Sequence, residues 1–169
     1  MSDGRRLTAG EVRLVREVFR SEIATGIVRI HNHTWMGGLW PTDRIMAPNG
    51  HIYYPEGNAK YGPDISQMNL GARATFIHEM VHVYQDQRGE HLVPRAPFER
   101  EYDYGDLAPG TKWADLNMEQ QGNVVRDYYY LTQGQRTNRL PALSRFVAVI
   151  PWLPGRPDAL AEELVPDMA

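Results

Sequence analysis

The sequence predicts an α+β fold: a small antiparallel or mixed sheet packed on a helix, followed by a mainly helical C-terminal half. Three observations predict it. Apolar residues recur at helical spacing in 7–23, 70–88 and 116–134, each opened by a capping box or closed by a glycine. Short runs rich in β-branched and aromatic residues, IVRIH and HIYY, lie within 27–54. Stretches dense in Pro, Gly and Asn separate the two kinds of segment.

The first helix is predicted over residues 7–23. Thr8 with Glu11 fits a capping box, Val12, Val15, Val18 and Phe19 form a stripe, and Gly26 follows as a stop. IVRIH (27–31) reads as a strand. RIMA (44–47) and HIYY (51–54) flank Pro48-Asn49-Gly50, an Asn-Gly signal for a hairpin. In that hairpin Ile52 and Tyr54 are expected to face inwards and Tyr53 to face water. Residues 55–69 read as a loop. The second helix, 70–88, has Phe76, Ile77, Met80, Val81 and Tyr84 on one side and Gly89 at its end. Residues 90–115, with Pro94, Pro97 and Pro109, read as a long irregular segment. The third helix, 116–134, opens with Asn117 and Gln120 and closes with Gly134. A short helix or turn is expected around 141–148. FVAVIPWLP (146–154), broken by two prolines, reads as a buried segment or an interface, and the tail 158–169 as a terminal helical turn or a frayed end.

A chain of 169 residues is the length of one ordinary domain, and 1–169 is read as one. The hydrophobic fraction of 42% suits a chain with a substantial core. A net charge of -3 without a basic block argues against a nucleic-acid binder. There is no cysteine, which excludes disulfides, thiolate nucleophiles and thiolate-bound metals. No run approaches the roughly 18 apolar residues of a membrane span. The polar start, MSDGRRLTAGEV, lacks a signal-peptide core, so the expected location is the cytoplasm, or outside it by a signal-peptide-independent route.

The chemistry concentrates in FIHEMVHVYQ (76–85). His78 and His82 are four apart, so on a helix both imidazoles project from one face and can aim at one ion. Zinc takes such nitrogens at about 2.0–2.1 Å. Glu79 lies about 100° around the helix, placed to serve as general base rather than as ligand. Such a short pattern also arises by chance, so context decides. Here the apolar side of the helix is complete without the histidines, which occupy the other face beside Gln85.

Two histidines do not close a catalytic zinc site, which takes three protein ligands. The HExxHxxGxxH solution is excluded, because Gln85 and Arg88 stand where the glycine and third histidine would be. Helix 116–134 opens instead with Glu119, and Glu119, Asn123, Arg126, Asp127 and Tyr130 share a polar face. Glu119 is the expected third ligand, and Asn123, one turn on, the expected hydrogen-bond partner that fixes a ligand histidine. Asp86 is too close on the same helix. Asp103, Asp106, Asp115, His33 and His51 stay open as alternative ligands. Tyr102, Tyr104, Arg126 and His51 are candidates for a second donor to an oxyanion, and the strand carrying Tyr53 for the edge that binds an extended peptide.

HEMVH with a later helix opening EQQGN resembles the gluzincin group of zinc peptidases. GHIYYP, FIHEMVHVYQ and EQQGNVVRDYY together resemble small bacterial zincin-like domains associated with type VI secretion and with Rhs and Vgr proteins. The resemblance covers about residues 45–135 and implies a zincin-like fold, one Zn2+ held by His, His and Glu, and peptide or protein substrates. It also implies a role as effector or toxin, with a secretion apparatus or an immunity protein as candidate partners. One departure is Asn123, where thermolysin-like enzymes carry aspartate. The alternatives to a zinc metallopeptidase are a non-catalytic zincin-shaped binding module and a latent peptidase awaiting a partner.

Overall fold

A computed structural model describes residues 4–38, 43–90, 101–135 and 139–154. Among these the fold is α+β, with a three-stranded mixed sheet and four helices. In chain order the elements are β1 (Arg5–Arg6), α1 (Ala9–Phe19), β2 (Arg29–His31), β3 (Ile52–Tyr53), α2 (Leu70–Gln87), α3 (Met118–Thr132) and α4 (Leu143–Val149). The sheet order is β1-β2-β3, with β1 antiparallel and β3 parallel to β2. None of these helices is long and apolar enough to cross a membrane.

Helix α1 starts where its capping box places it. Thr8 Oγ1 accepts from the Glu11 amide at 3.0 Å, and Glu11 Oε2 accepts from the Thr8 amide at 2.9 Å. It stops at Phe19, short of residue 23, because Arg20 takes φ 57° and turns the chain out of the helix. Glu11 does more than cap. It is wholly buried and also accepts from Arg5 (2.7 and 2.9 Å) and from the Ile65 amide (2.8 Å). Those bonds tie β1 and α1 to the 3-10 turn Ile65–Gln67 that leads into α2.

The hairpin expected at 44–54 shrinks to one antiparallel bridge between Met46 and Tyr53. A tight Asn-Gly turn needs positive φ at both central residues. Only Gly50 has it, at 76°. β3 pairs instead with β2, in parallel. Ile52 and Tyr54 are fully buried as expected, but Tyr53 does not face water. It is 8% exposed and stacks on His31 with ring centroids 4.4 Å apart.

Helix α2 runs through the middle of the molecule. Asn69 caps its start by accepting from the Ala72 amide at 2.9 Å. Gly89, at φ 83°, ends it in a Schellman motif, with Glu90 N donating to Gln85 O and Gly89 N to Asp86 O. Phe76, Ile77, Met80 and Val81 are wholly buried, each contributing about 1.5–3 kcal/mol. The side carrying the histidines is covered as well, since α2 packs most extensively against α3. The face opposite the apolar stripe is therefore internal too: Glu79, His82 and Gln85 are all buried.

Helix α3 opens with the expected box, Asn117 Oδ1 accepting from Gln120 N and Gln120 Oε1 from Asn117 N. It closes with a second Schellman turn at Gly134. After it, Phe146, Val149, Ile150 and Leu153 are buried, so 146–154 is an internal segment. Trp152 stacks on Phe19 and donates to Val18 O at 2.9 Å. The tail expectation for 158–169, and residues 91–100 of the long irregular segment, lie outside the described residues.

Candidate metal centre

The side-by-side packing of α2 and α3 brings His78, His82 and Glu119 together, with one ligand atom of each within 4.8 Å of the others. Glu119 Oε2 is 3.2 Å from His78 Nε2 and 3.5 Å from His82 Nε2. The imidazoles are nearly perpendicular, their centroids 5.0 Å apart. Ligand atoms about 2.0–2.1 Å from a tetrahedral zinc lie about 3.3–3.4 Å from one another, so these separations suit an ion as well as hydrogen bonds. All three side chains are largely withdrawn from solvent, at 12%, 7% and 16% exposure. Nitrogen, nitrogen and carboxylate oxygen are a donor set zinc accepts. His78 Nδ1 and Glu79 Oε2 are buried with no hydrogen-bond partner, which fits a site built around something more than the protein's own bonds.

Each donor is held from behind. His82 Nδ1 donates to Gln85 Oε1 at 2.8 Å, leaving Nε2 to face Glu119. The His78 ring lies flat against Gly122. A Cβ at that position would stand 2.6 Å from Cε1, 2.8 Å from Nδ1 and 2.9 Å from Nε2. Glycine inside a helix costs about 1 kcal/mol relative to alanine, and here it makes room for the ring. Gly122→Ala is expected to gain helix propensity yet weaken zinc binding by roughly tenfold or more, as displaced outer-shell groups do. A chelator-competition titration measures this, and unchanged affinity would show that the ring does not need the space.

The electrostatics follow from burial. Burial opposes charge on His82, but the hydrogen bond and charge of Glu119 outweigh it and raise the pKa to about 9. Burial lowers His78 below the ordinary histidine value, against the pull of Glu119. For Glu119 burial favours the neutral acid, and the two histidines overcome it and hold the group well below the usual carboxylate range. Without metal, the pair is a His82 imidazolium against the Glu119 carboxylate. Glu79 is pushed up to about 8, by burial first.

Of the other residues singled out in the sequence, Asn123 does not bond a histidine. Its amide donates to Tyr102 O at 2.8 Å, and its Oδ1 has no hydrogen-bond partner. The histidine partner is Gln85, three residues after His82, a neutral amide that looked like any surface residue. Tyr102 is 45% exposed, tied by its carbonyl to α3. The Tyr104 hydroxyl is committed to Asp127 at 2.6 Å, and Arg126 Nε donates to the same carboxylate at 2.8 Å. Arg126 lies two turns beyond Glu119, and its charge reaches His78. His33, His51 and Tyr53 instead cluster around His31 at the sheet, with His33 and His51 centroids 5.1 and 5.9 Å from that ring. His51 Nδ1 accepts from the Arg29 amide at 3.3 Å. None of Asp103, Asp106, Asp115, His33 and His51 belongs to the one three-donor group found among the described residues.

No family model matches the chain. It is 36% identical over 161 residues to the type VI secretion system spike protein VgrG2b of Pseudomonas aeruginosa strain PAO1. That alignment takes in 89% of this chain and 15% of the spike protein, so the chain spans about 15% of the length of its curated relative. The solved effector domain of Pseudomonas aeruginosa VgrG2b superposes with a TM-score of 0.66 at 34% identity, covering 78% of this chain and 76% of that one. At that identity and coverage, the chain belongs to the family of the VgrG2b effector domain.

Proposed function

We propose that this chain is a zinc metallopeptidase of zincin-like fold that acts as a type VI secretion effector. The observation that carries the hydrolase reading is the meeting of His78, His82 and Glu119 with a buried carboxylate, Glu79, one residue from the first ligand and lacking a partner at Oε2. Bound there, zinc would acidify water and polarise a substrate carbonyl. The protein's own part is proton handling and charge placement. Burial favours the neutral acid of Glu79 in the metal-free site, and the charge of a bound ion would favour its carboxylate, which would take a proton from the attacking water and return it to the leaving amine. Arg126, whose Nε donates to Asp127 and whose charge acts on His78, is our candidate for a second donor to developing negative charge. Tyr104 is a weaker candidate, because its hydroxyl already serves Asp127. The effector reading rests on the likeness to a domain of a secretion spike protein that bears that description, and it makes a secretion apparatus the expected partner.

The test is zinc content together with cleavage of an unstructured protein such as casein. The expected result is one zinc per chain, cleavage stopped by a chelator and restored by zinc, and zinc largely lost in Glu119→Ala. Metal without cleavage would turn the reading to a non-catalytic module. Zinc held at full affinity by Glu119→Ala would remove Glu119 from the ligand set.

A further inference from the structure

His82 can present its lone pair on either nitrogen, and the structure decides which through two glutamine side chains. His82 Nδ1 lies 2.8 Å from Gln85 Oε1. An amide oxygen only accepts, so Nδ1 always carries a hydrogen, and once the ring gives up its second proton to bind a metal it is Nε2, on the side of Glu119, that has the lone pair. Gln85 could reverse, offering its NH2 group instead, if nothing held its other end. Its Nε2, however, is 3.2 Å from Met118 O and 2.7 Å from Gln121 Oε1. Reversal would set oxygen against two oxygens. Gln121 cannot turn to accommodate it, because its own Nε2 donates to Trp113 O at 3.1 Å and Leu116 O at 3.2 Å. Backbone carbonyls have no hydrogen to give, so they set the direction of every bond back to the imidazole. Gln85, Gln121 and His82 are 0%, 6% and 5% exposed, and water offers no substitute partners there. Met118 immediately precedes Glu119, so the same chain of bonds also registers the start of α3 against His82.

We propose that Gln85 and Gln121 form an amide relay that fixes the His82 tautomer and presents Nε2 to a metal, which makes Gln85 a positioning residue; this rests on the zinc reading above. The two histidines are then unequally prepared, since His78 Nδ1 has no such partner.

The test compares Gln85→Met, which keeps bulk and loses the amide, with Gln85→Glu, which keeps an acceptor for Nδ1–H. Zinc affinity is read by chelator competition, and the ligating nitrogen by histidine side-chain 15N NMR of zinc-loaded protein. Gln85→Met is expected to bind zinc roughly 10–100-fold more weakly and to lose the single Nε2-ligated His82 signature. Gln85→Glu is expected to keep that signature, because an acceptor for Nδ1–H remains, although its second oxygen meets Met118 O and Gln121 Oε1 and its zinc affinity falls as well. Gln121→Met acts two bonds away, should weaken binding in the same direction, and carries the test if Gln85→Met does not fold. A role in packing alone predicts that Gln85→Met binds zinc like the parent and keeps the Nε2-ligated His82 signature; that result overturns the relay. A parent protein that binds no zinc overturns the relay and the metal reading together, whereas a zinc-binding parent matched by Gln85→Met overturns the relay alone.

Discussion

Glu79→Gln is expected to keep zinc and to lose hydrolysis by roughly 10²–10⁴-fold, the usual worth of a positioned general base. Glutamine copies the neutral acid in shape but cannot accept a proton at neutral pH. Glu79 is only 6% exposed and stands on α2 between the two histidines, so the exchange should leave the ligand geometry unchanged. The same variant has a second readout in metal-free protein. Burial raises Glu79 in the fold to about 8 from an ordinary 4.5. Between those values the unfolded chain releases a proton that the folded chain keeps, so stability falls as pH rises. Glutamine removes this loss. Metal-free Glu79→Gln should therefore match the parent near pH 4.5 and melt several degrees higher at pH 8. Parental turnover in Glu79→Gln would end the base assignment. Coincident melting curves at pH 8 would deny the burial penalty.

The helices were legible because their signals are local. Thr8 with Glu11, Asn117 with Gln120, Gly89 and Gly134 each act within one turn, and each does in the structure what its chemistry predicts. The sheet was less legible because its strands are two or three residues long, too short for periodicity to speak. Its parallel pairing joins residues separated by a long connection, which no turn rule foresees. The approach of His78, His82 and Glu119 could be read because spacing on one helix and a carboxylate opening another are both visible as patterns. What holds them could not. A buried glutamine three residues after a histidine has the same letters as a solvated one, and only the covering of α2 by α3 separates the two cases. Gly122 was equally silent. Mid-helix glycine signals close approach, but not what approaches. The place one turn after Glu119 pointed to Asn123 as the outer partner, whereas the fold supplies it from Gln85 on the ligand helix itself.

Zinc is expected to raise the melting temperature by an increment that grows with pH, because the same side chains change role when the ion binds. In metal-free protein His82 is held charged by Glu119, with a pKa of about 9 against an ordinary 6.5. A raised histidine contributes stability that is complete below pH 6.5 and is lost as pH climbs through 9. Glu79 declines in the same direction between pH 4.5 and 8. His78, lowered by burial, works oppositely but only below pH 6.5. Above pH 6.5 only the two losses remain, so the metal-free protein should weaken from there towards pH 9. Zinc demands both imidazoles unprotonated, so its binding releases the His82 proton and strengthens as pH rises. At free zinc about 100 times Kd the gain is about 2.7 kcal/mol. For a chain of this size that corresponds to roughly 5–11 °C. Melting curves from pH 6 to 9, with zinc and with chelator, should thus diverge: falling with chelator, level or rising with zinc. Parallel curves would mean that His82 is not exchanging its proton for a metal, and the ion would then have to be sought away from the His82–Glu119 pair.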